Sequence, residues 1–224
     1  MTSPKEGLAS VALFSKLTLE KNKPKFVKLR FSMENSERIT PQKESEWDPE
    51  IRGLFERMGY KSEDDLYNIL KTLAHHPKMF KRWLPFANHV LFKSTLSPRI
   101  REIIILRTGW LCCSEYEWTQ HVRIGREEAG MKDVDFKALE TGASDPHWNG
   151  EESVVLRAVE ELIPNKCISD EVWKEMSKHF DHMQIIDIVA AVGNYTLVSM
   201  MLNTFNVKLD GWLERYEGFS RNSM

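Results

Sequence analysis

Glu117 and His121 stand four residues apart and Ser114 precedes Glu117 by three, so on a helix the three side chains share one face. A carboxylate and an imidazole facing the same way can move protons. Glu102 lies one short helical segment upstream, and Tyr116, Trp118 and an apolar run surround the group. Such surroundings raise a carboxyl pKa and leave a histidine titrating near neutrality, as general acid–base chemistry requires. The same spacing also has a purely structural meaning. Ser114 followed at the fourth position by Glu117 is a capping box, in which hydroxyl and carboxylate each bind a backbone amide for ~1 kcal/mol of helix stability.

The elements that must position these residues are legible around them. Ser97-Pro98 is an N-cap followed by proline at the first helical position, and the helix it opens carries Ile103 to Leu106 on consecutive positions, which implies burial all round. Gly109 and the stretch Leu111 to Ser114 should interrupt it, so that two helices replace one rod and Glu102 can fold back toward Glu117 and His121.

Upstream, Asp48-Pro49 starts a helix closed by Gly59, Ser62 caps a second from Glu63 to His75, and Pro77 starts a third that Pro85 should bend or divide. Downstream come Asp133 to Glu140 closed by Gly142, a helix of roughly Glu151 to Leu162, and one capped by Ser169 that runs to Phe180. A long apolar helix then spans Met183 to Phe205, interrupted at Gly193 and holding Asp187, Asn194 and Asn203. Phe26 to Phe31 and Val207 to Leu209 are strand-like, but no period-2 alternation is sustained, and the fold class is all-α. A faint internal echo pairs Glu102, Trp110 and His121 with Asp187, Tyr195 and Asn206, as a duplicated helical pair would.

The 224 residues suffice for one sizeable core, and 31 basic against 33 acidic residues give no net field for nucleic acid or an anionic membrane. No continuous apolar run approaches the ~18 residues that span a bilayer, so a soluble protein is expected. Cys112, Cys113 and Cys167 are too few for a disulfide framework and point to a reducing compartment, the cytoplasm. No cysteine or histidine spacing is of metal type; His75-His76 and His179-x-x-His182 are too sparse. Residues 1–32 hold seven Lys or Arg against two Glu and are the basic, serine-containing part of an N-terminal extension drawn over 1–46, ahead of a helical domain over 47–224. Organelle targeting by residues 1–32 is the alternative to a disordered tail.

The segment from Leu96 to Met131, with WLCCSEYEWTQH at its centre, resembles the signature of the carboxymuconolactone decarboxylase family, which belongs with the AhpD-like alkyl hydroperoxidases. The similarity extends over Trp47 to Gly59 (WDPEIRGLFERMG), His76 to Phe92 (HPKMFKRWLPFANHVLF) and Ile168 to Phe205. In the peroxidase branch an upstream Glu precedes C-x-x-C and a His four residues on. Here Glu102 and His121 match the Glu and His, while the two cysteine positions are Ser114 and Glu117. A resolving dithiol cannot be built from Ser and Glu, and adjacent Cys112 and Cys113 are poorly placed to replace it.

The decarboxylase branch does without the cysteines and resembles this chain in the Glu within Tyr-Glu-Trp. The resemblance implies a compact helical fold assembled as trimers or hexamers, neither metal nor cofactor, and small carboxylated lactones or related oxo acids as substrates. On this reading His121 donates a proton to carbon after CO₂ loss, Glu102 orients His121, Glu117 assists and Ser114 holds a substrate oxygen. Arg101, Arg107 and His89 are candidates for the positive partner of a substrate anion, and Trp83, Phe86 and Trp118 for an apolar wall. Two alternatives remain: a thiol peroxidase using Cys113, with Cys112 or Cys167, and a non-catalytic protein that binds a small molecule or assembles.

Overall fold

Ser97 accepts a hydrogen bond from the amide of Ile100 and Pro98 fills the first helical position, so α4 (Pro98–Leu111) begins as its sequence dictates. The computed structural model describes residues 36–217 and Phe219. Every residue of α4 from Ile100 to Gly109 is buried, and the other helices pack around it. Its C-terminus reverses through a Schellman turn: the Ser114 amide donates to the Gly109 carbonyl (2.9 Å) and the Cys113 amide to that of Trp110 (3.0 Å). Cys113 holds the left-handed position that glycine usually takes, at φ 53°. The next helix, α5 (Glu115–Glu128), returns along α4. Gly109 permits the close approach, because a Cβ there would lie 3.4 Å from the Cβ of Glu117. That crossing brings Glu117 and His121 over Glu102.

Around this pair stand α1 (Pro49–Arg57), α2 (Asn68–Leu73), α3 (Pro77–Asn88) with a π-helical turn at His89–Lys93, α6 (Asp133–Thr141), α7 (Gly150–Asn165), α8 (Asp170–His179) and α9 (His182–Phe205). No strand occurs among the described residues, so the class is all-α and Val207 to Leu209 is not a strand. One apolar cluster gathers α4 with α5 to α9; a second joins Trp47, α1, α2 and α3 to Tyr116, Val198 and Leu202.

By length and composition α9 could cross a bilayer, although more than half of its most apolar window is buried in this fold. Its three polar interior residues each tie down another element. Asp187 accepts from the Thr95 amide (2.7 Å) and pairs with His89 (3.0 Å), Asn194 accepts from the Trp83 indole (2.9 Å), and Asn203 donates to the Cys112 carbonyl (2.8 Å). The residues of the internal echo form no second proton-transfer group: Asp187 is engaged as above, Tyr195 packs edge-on against His121, and Asn206 ends α9 in the left-handed conformation.

The structure moves several expected boundaries. Residues 36–46, drawn as part of the extension, group with the helical unit. The Arg38 amide donates to the Phe205 carbonyl (2.8 Å), Asn206 to that of Ser36 (2.7 Å) and Gln42 to that of Lys71 (3.3 Å). The expectations placed on residues 1–32 lie outside the described residues.

The helix expected over Glu63 to His75 is a 3₁₀ turn, Glu63–Asp65, followed by extended Leu66 and the shorter α2. Ser62 makes no cap hydrogen bond; instead Asp210, far along the chain, accepts from the Asn68 amide (2.7 Å) and Tyr116 donates to the same carboxylate. Pro85 does not divide α3, although the π-helical turn follows four residues later. Gly193 does not interrupt α9, which Asp181 caps.

Candidate active site

His121 lies on the buried side of α5, with each ring nitrogen facing a carboxylate. Nδ1 is 2.7 Å from Oε2 of Glu102, which is fully buried, and Nε2 is 3.2 Å from Oε1 of Glu117. Behind Glu102 sits Arg101, whose Nε is 3.0 Å from the other oxygen of Glu102 and whose Nη2 is 3.2 Å from Glu128. Five charges therefore alternate in sign from Glu128 through Arg101, Glu102 and His121 to Glu117. Burial favours the neutral imidazole of His121, but the charge and hydrogen bond of Glu102, reinforced by Glu117, outweigh it and raise its pKa to about 9. At pH 7 the ring is thus an imidazolium with a proton on each nitrogen.

Glu117 and His121 line a cavity of about 290 Å³ between the two apolar clusters, near the lower end of the ~300–1,000 Å³ usual for small-molecule pockets. Leu84, Leu91, Ile124 and Val198 contribute apolar walls; Tyr60, Tyr67, Trp83 and Tyr195 contribute aromatic ones. Tyr195 packs edge-on against the His121 ring at 5.1 Å. Burial, then the charges of Glu117 and Glu102, keep its phenol protonated by raising its pKa well above the ordinary value. The arrangement can deliver or remove a proton from a molecule held against Glu117, with the opposite end of the ring anchored in the core.

The site residues expected from sequence divide sharply. Glu102, Glu117 and His121 meet; Trp83 reaches the cavity wall. Ser114 is fully buried away from the lining. Its hydroxyl has no hydrogen-bond partner, and it forms no capping box because the Glu117 carboxylate faces His121. Ser114→Ala is therefore expected to shift the unfolding free energy by less than about 0.5 kcal/mol in urea titrations, where a lost cap would cost ~1 kcal/mol.

Trp118 is one residue from Glu117 and so points elsewhere, into a cluster with Trp110, Tyr216 and Phe219. Phe86 is 46% exposed and outside the lining. None of the three proposed anion partners is free: Arg101 is held by Glu102 and Glu128, and His89 by Asp187. Arg107 pairs with Glu160 (2.8 Å) and donates to the carbonyls of Leu139 and Glu140 at the end of α6. Gly142 makes room for this guanidinium, since a Cβ there would lie 2.3 Å from it.

A guanidinium that does line the cavity is that of Arg123. It donates to the Tyr67 hydroxyl (2.7 Å) and pairs loosely with Glu127 (3.9 Å), while its Nε is buried without a partner. The signal for it was the lining arc of α5, which takes in Gln120 beside His121 and continues through Arg123, Ile124 and Glu127 at helical spacing. Tyr60, Tyr67, Asn194 and Tyr195 come from distant elements and carried no local signal. No cysteine lines the cavity. Cys112 is partly buried, and burial pushes its thiol pKa up against the opposing effect of Thr196.

A fully buried helix crossed by a second at a glycine, with a Glu on the first and a Glu and His on the second, is an arrangement on an AhpD-like fold. The AhpD core of a peroxidase-related protein from Ralstonia eutropha superposes with a TM-score of 0.66 at 17% identity, covering 79% of this chain and 95% of that one. A peroxidase-related protein from Silicibacter gives 0.62 at 16% identity, covering 84% and 97%. The debrominase Bmp8 gives 0.61 at 13% identity, covering 77% and 92%. Residues 77–161, which contain Glu102, Glu117 and His121, match the carboxymuconolactone decarboxylase family. The chain has an AhpD-like fold and is similar to this family over residues 77–161. No curated protein matches it.

Proposed function

We propose that the protein is a cofactor-independent carboxy-lyase acting on a small carboxylated lactone or related oxo acid by proton transfer through Glu102, His121 and Glu117. The observation that carries this reading is the line of the three residues: its inner end is sealed at Glu102 and its outer end, Glu117, faces a largely apolar cavity. Family likeness supplies the reaction class.

In this scheme Arg123, whose side chain lines the cavity, replaces the anion partners sought in sequence and holds a substrate oxygen. As the bond to the carboxylate carbon breaks, its electron pair delocalises into the conjugated carbonyl and CO₂ departs. The carbon then takes a proton from Glu117, which His121 supplies from Nε2; the neutral ring keeps its Nδ1 proton on Glu102, and solvent restores the other. The apolar walls exclude competing water and favour the loss of localised charge.

Assaying CO₂ release from a panel of carboxylated lactones and oxo acids tests the proposal. Turnover by the wild type that is lost in a folded His121→Ala variant is expected, and unchanged turnover in that variant sinks the scheme. Cys113→Ser is expected to keep at least about half of the wild-type kcat, because no thiol lines the cavity. A loss above tenfold, with hydroperoxide as the better substrate, would instead favour thiol chemistry.

A further inference from the structure

Helix α9 has two apolar faces, and among the described residues only one of them is packed. Ile188, Ala191, Val192, Tyr195 and Leu202 are buried, whereas Ile186 is 67% exposed, Met200 54%, Val189 45% and Leu197 38%. These four are arranged symmetrically about Gly193, with exposed Met183 standing apart from them at the start of the helix: Val189 and Leu197 lie four residues to either side, Ile186 and Met200 seven. At 100° per residue all five fall within an arc of about 80°. No atom of the described residues lies within 4 Å of the position a Gly193 Cβ would take, so the backbone there is open to close approach.

A stripe that reads alike in both directions from a glycine is complementary to itself turned end for end. We propose that two copies of this chain pair along α9, antiparallel about a two-fold axis at Gly193. Gly193 then meets the partner's Gly193, Val189 faces the partner's Leu197, and Ile186 faces the partner's Met200.

Charge supports the same pairing. Asp181 caps α9 twelve residues before Gly193, and Phe205 closes it twelve residues after. At that far end lies Arg38, exposed, its guanidinium on the Thr204 carbonyl and its amide on that of Phe205. Antiparallel pairing brings the end that carries Arg38 to the partner's end that Asp181 caps and sets each helix N-terminus against a C-terminus, so the helix dipoles attract at both ends. The stripe itself carries no charged residue. A two-fold contact of this kind uses one patch twice, and it fits a dimer or a hexamer of three dimers but not a closed trimer, which has no two-fold axis.

Sedimentation of the full-length chain, together with disulfide trapping in a Cys167→Ser background, tests the pairing. The wild type is expected to sediment as a dimer or an even multiple, and the double variant Ile186→Glu, Leu197→Glu at half that mass with unchanged helical circular dichroism. Gly193→Cys should oxidise to a covalent dimer. Val189→Cys should not do so alone but should when combined with Leu197→Cys, because the axis puts those two positions opposite each other. A monomeric or trimeric wild type overturns the proposal, as does Gly193→Cys linking no faster than Val189→Cys. So does a monomer that instead cosediments with phosphatidylcholine vesicles.

Discussion

Glu117→Gln is expected to lower kcat by about 10²–10⁴-fold on any substrate the wild type turns over, the range that a positioned general acid or base contributes. The amide keeps the shape of the carboxylate and its oxygen can still accept from Nε2 of His121, 3.2 Å away, so the fold and KM should change little. What the variant lacks is an acidic proton to pass to the substrate. The loss should therefore fall on kcat and kcat/KM alike, as for an interaction made only in the transition state.

The wild type should also lose activity as pH rises through about 9, where His121 gives up the proton that recharges Glu117. In Glu117→Gln that alkaline limb should vanish from the residual rate. A variant within threefold of the wild type, or one that keeps the limb, would return the donor's role to His121 acting directly on the substrate.

The core of this site was legible because it is local. Spacing alone places Glu117 and His121 on one face of α5, and a turn after Gly109 suffices to bring Glu102 behind them; the structure supplies that turn. Two kinds of information were not local. Periodicity cannot orient a helix that is buried all round, so Arg107 on α4 looked as available as Glu102, although it is spent on Glu160 and on the carbonyls that end α6. Adjacency in sequence also misled at Trp118. One residue is a rotation of about 100° on a helix, enough to turn the indole from the cavity into a separate aromatic cluster.

The fold followed the same division. Helices with their own caps, α4, α8 and α9 among them, start where Ser97, Ser169 and Asp181 place them. The stretch after Gly59 departs from its pattern because its helix start is satisfied by Asp210, almost the whole domain away in sequence, and a cap borrowed from a distant loop leaves no local mark. The attachment of residues 36–46 is hidden for a similar reason. It rests largely on two backbone hydrogen bonds, from Arg38 to Phe205 and from Gln42 to Lys71, and on side chains far away in sequence, Asn206 on the Ser36 carbonyl and His75 on that of Thr40.

Glu102→Ala should cost about 3–5 kcal/mol of stability, the usual range for removing one partner from a buried ion pair, because His121 loses its closer carboxylate and Arg101 its nearer one. The conservative variant Glu102→Gln separates charge from packing, and its signature lies in pH. In the folded wild type the His121 pKa is raised from 6.5 to about 9. Protonation then favours the native state: this contribution is fully present below pH 6.5 and is lost as pH rises through 9, a difference on the order of 3 kcal/mol.

In Glu102→Gln the main opposing charge is gone and burial works against the imidazolium, so the ring should titrate well below 9. Unfolding free energies measured in urea from pH 6 to 10 should fall with pH for the wild type and stay nearly level for the variant. Taking the difference between the two proteins cancels the lysines, tyrosines and cysteines that titrate in both. Parallel curves would show that Glu102 does not hold the proton on His121, and the relay through the core would have to be abandoned even if Glu117 proved essential.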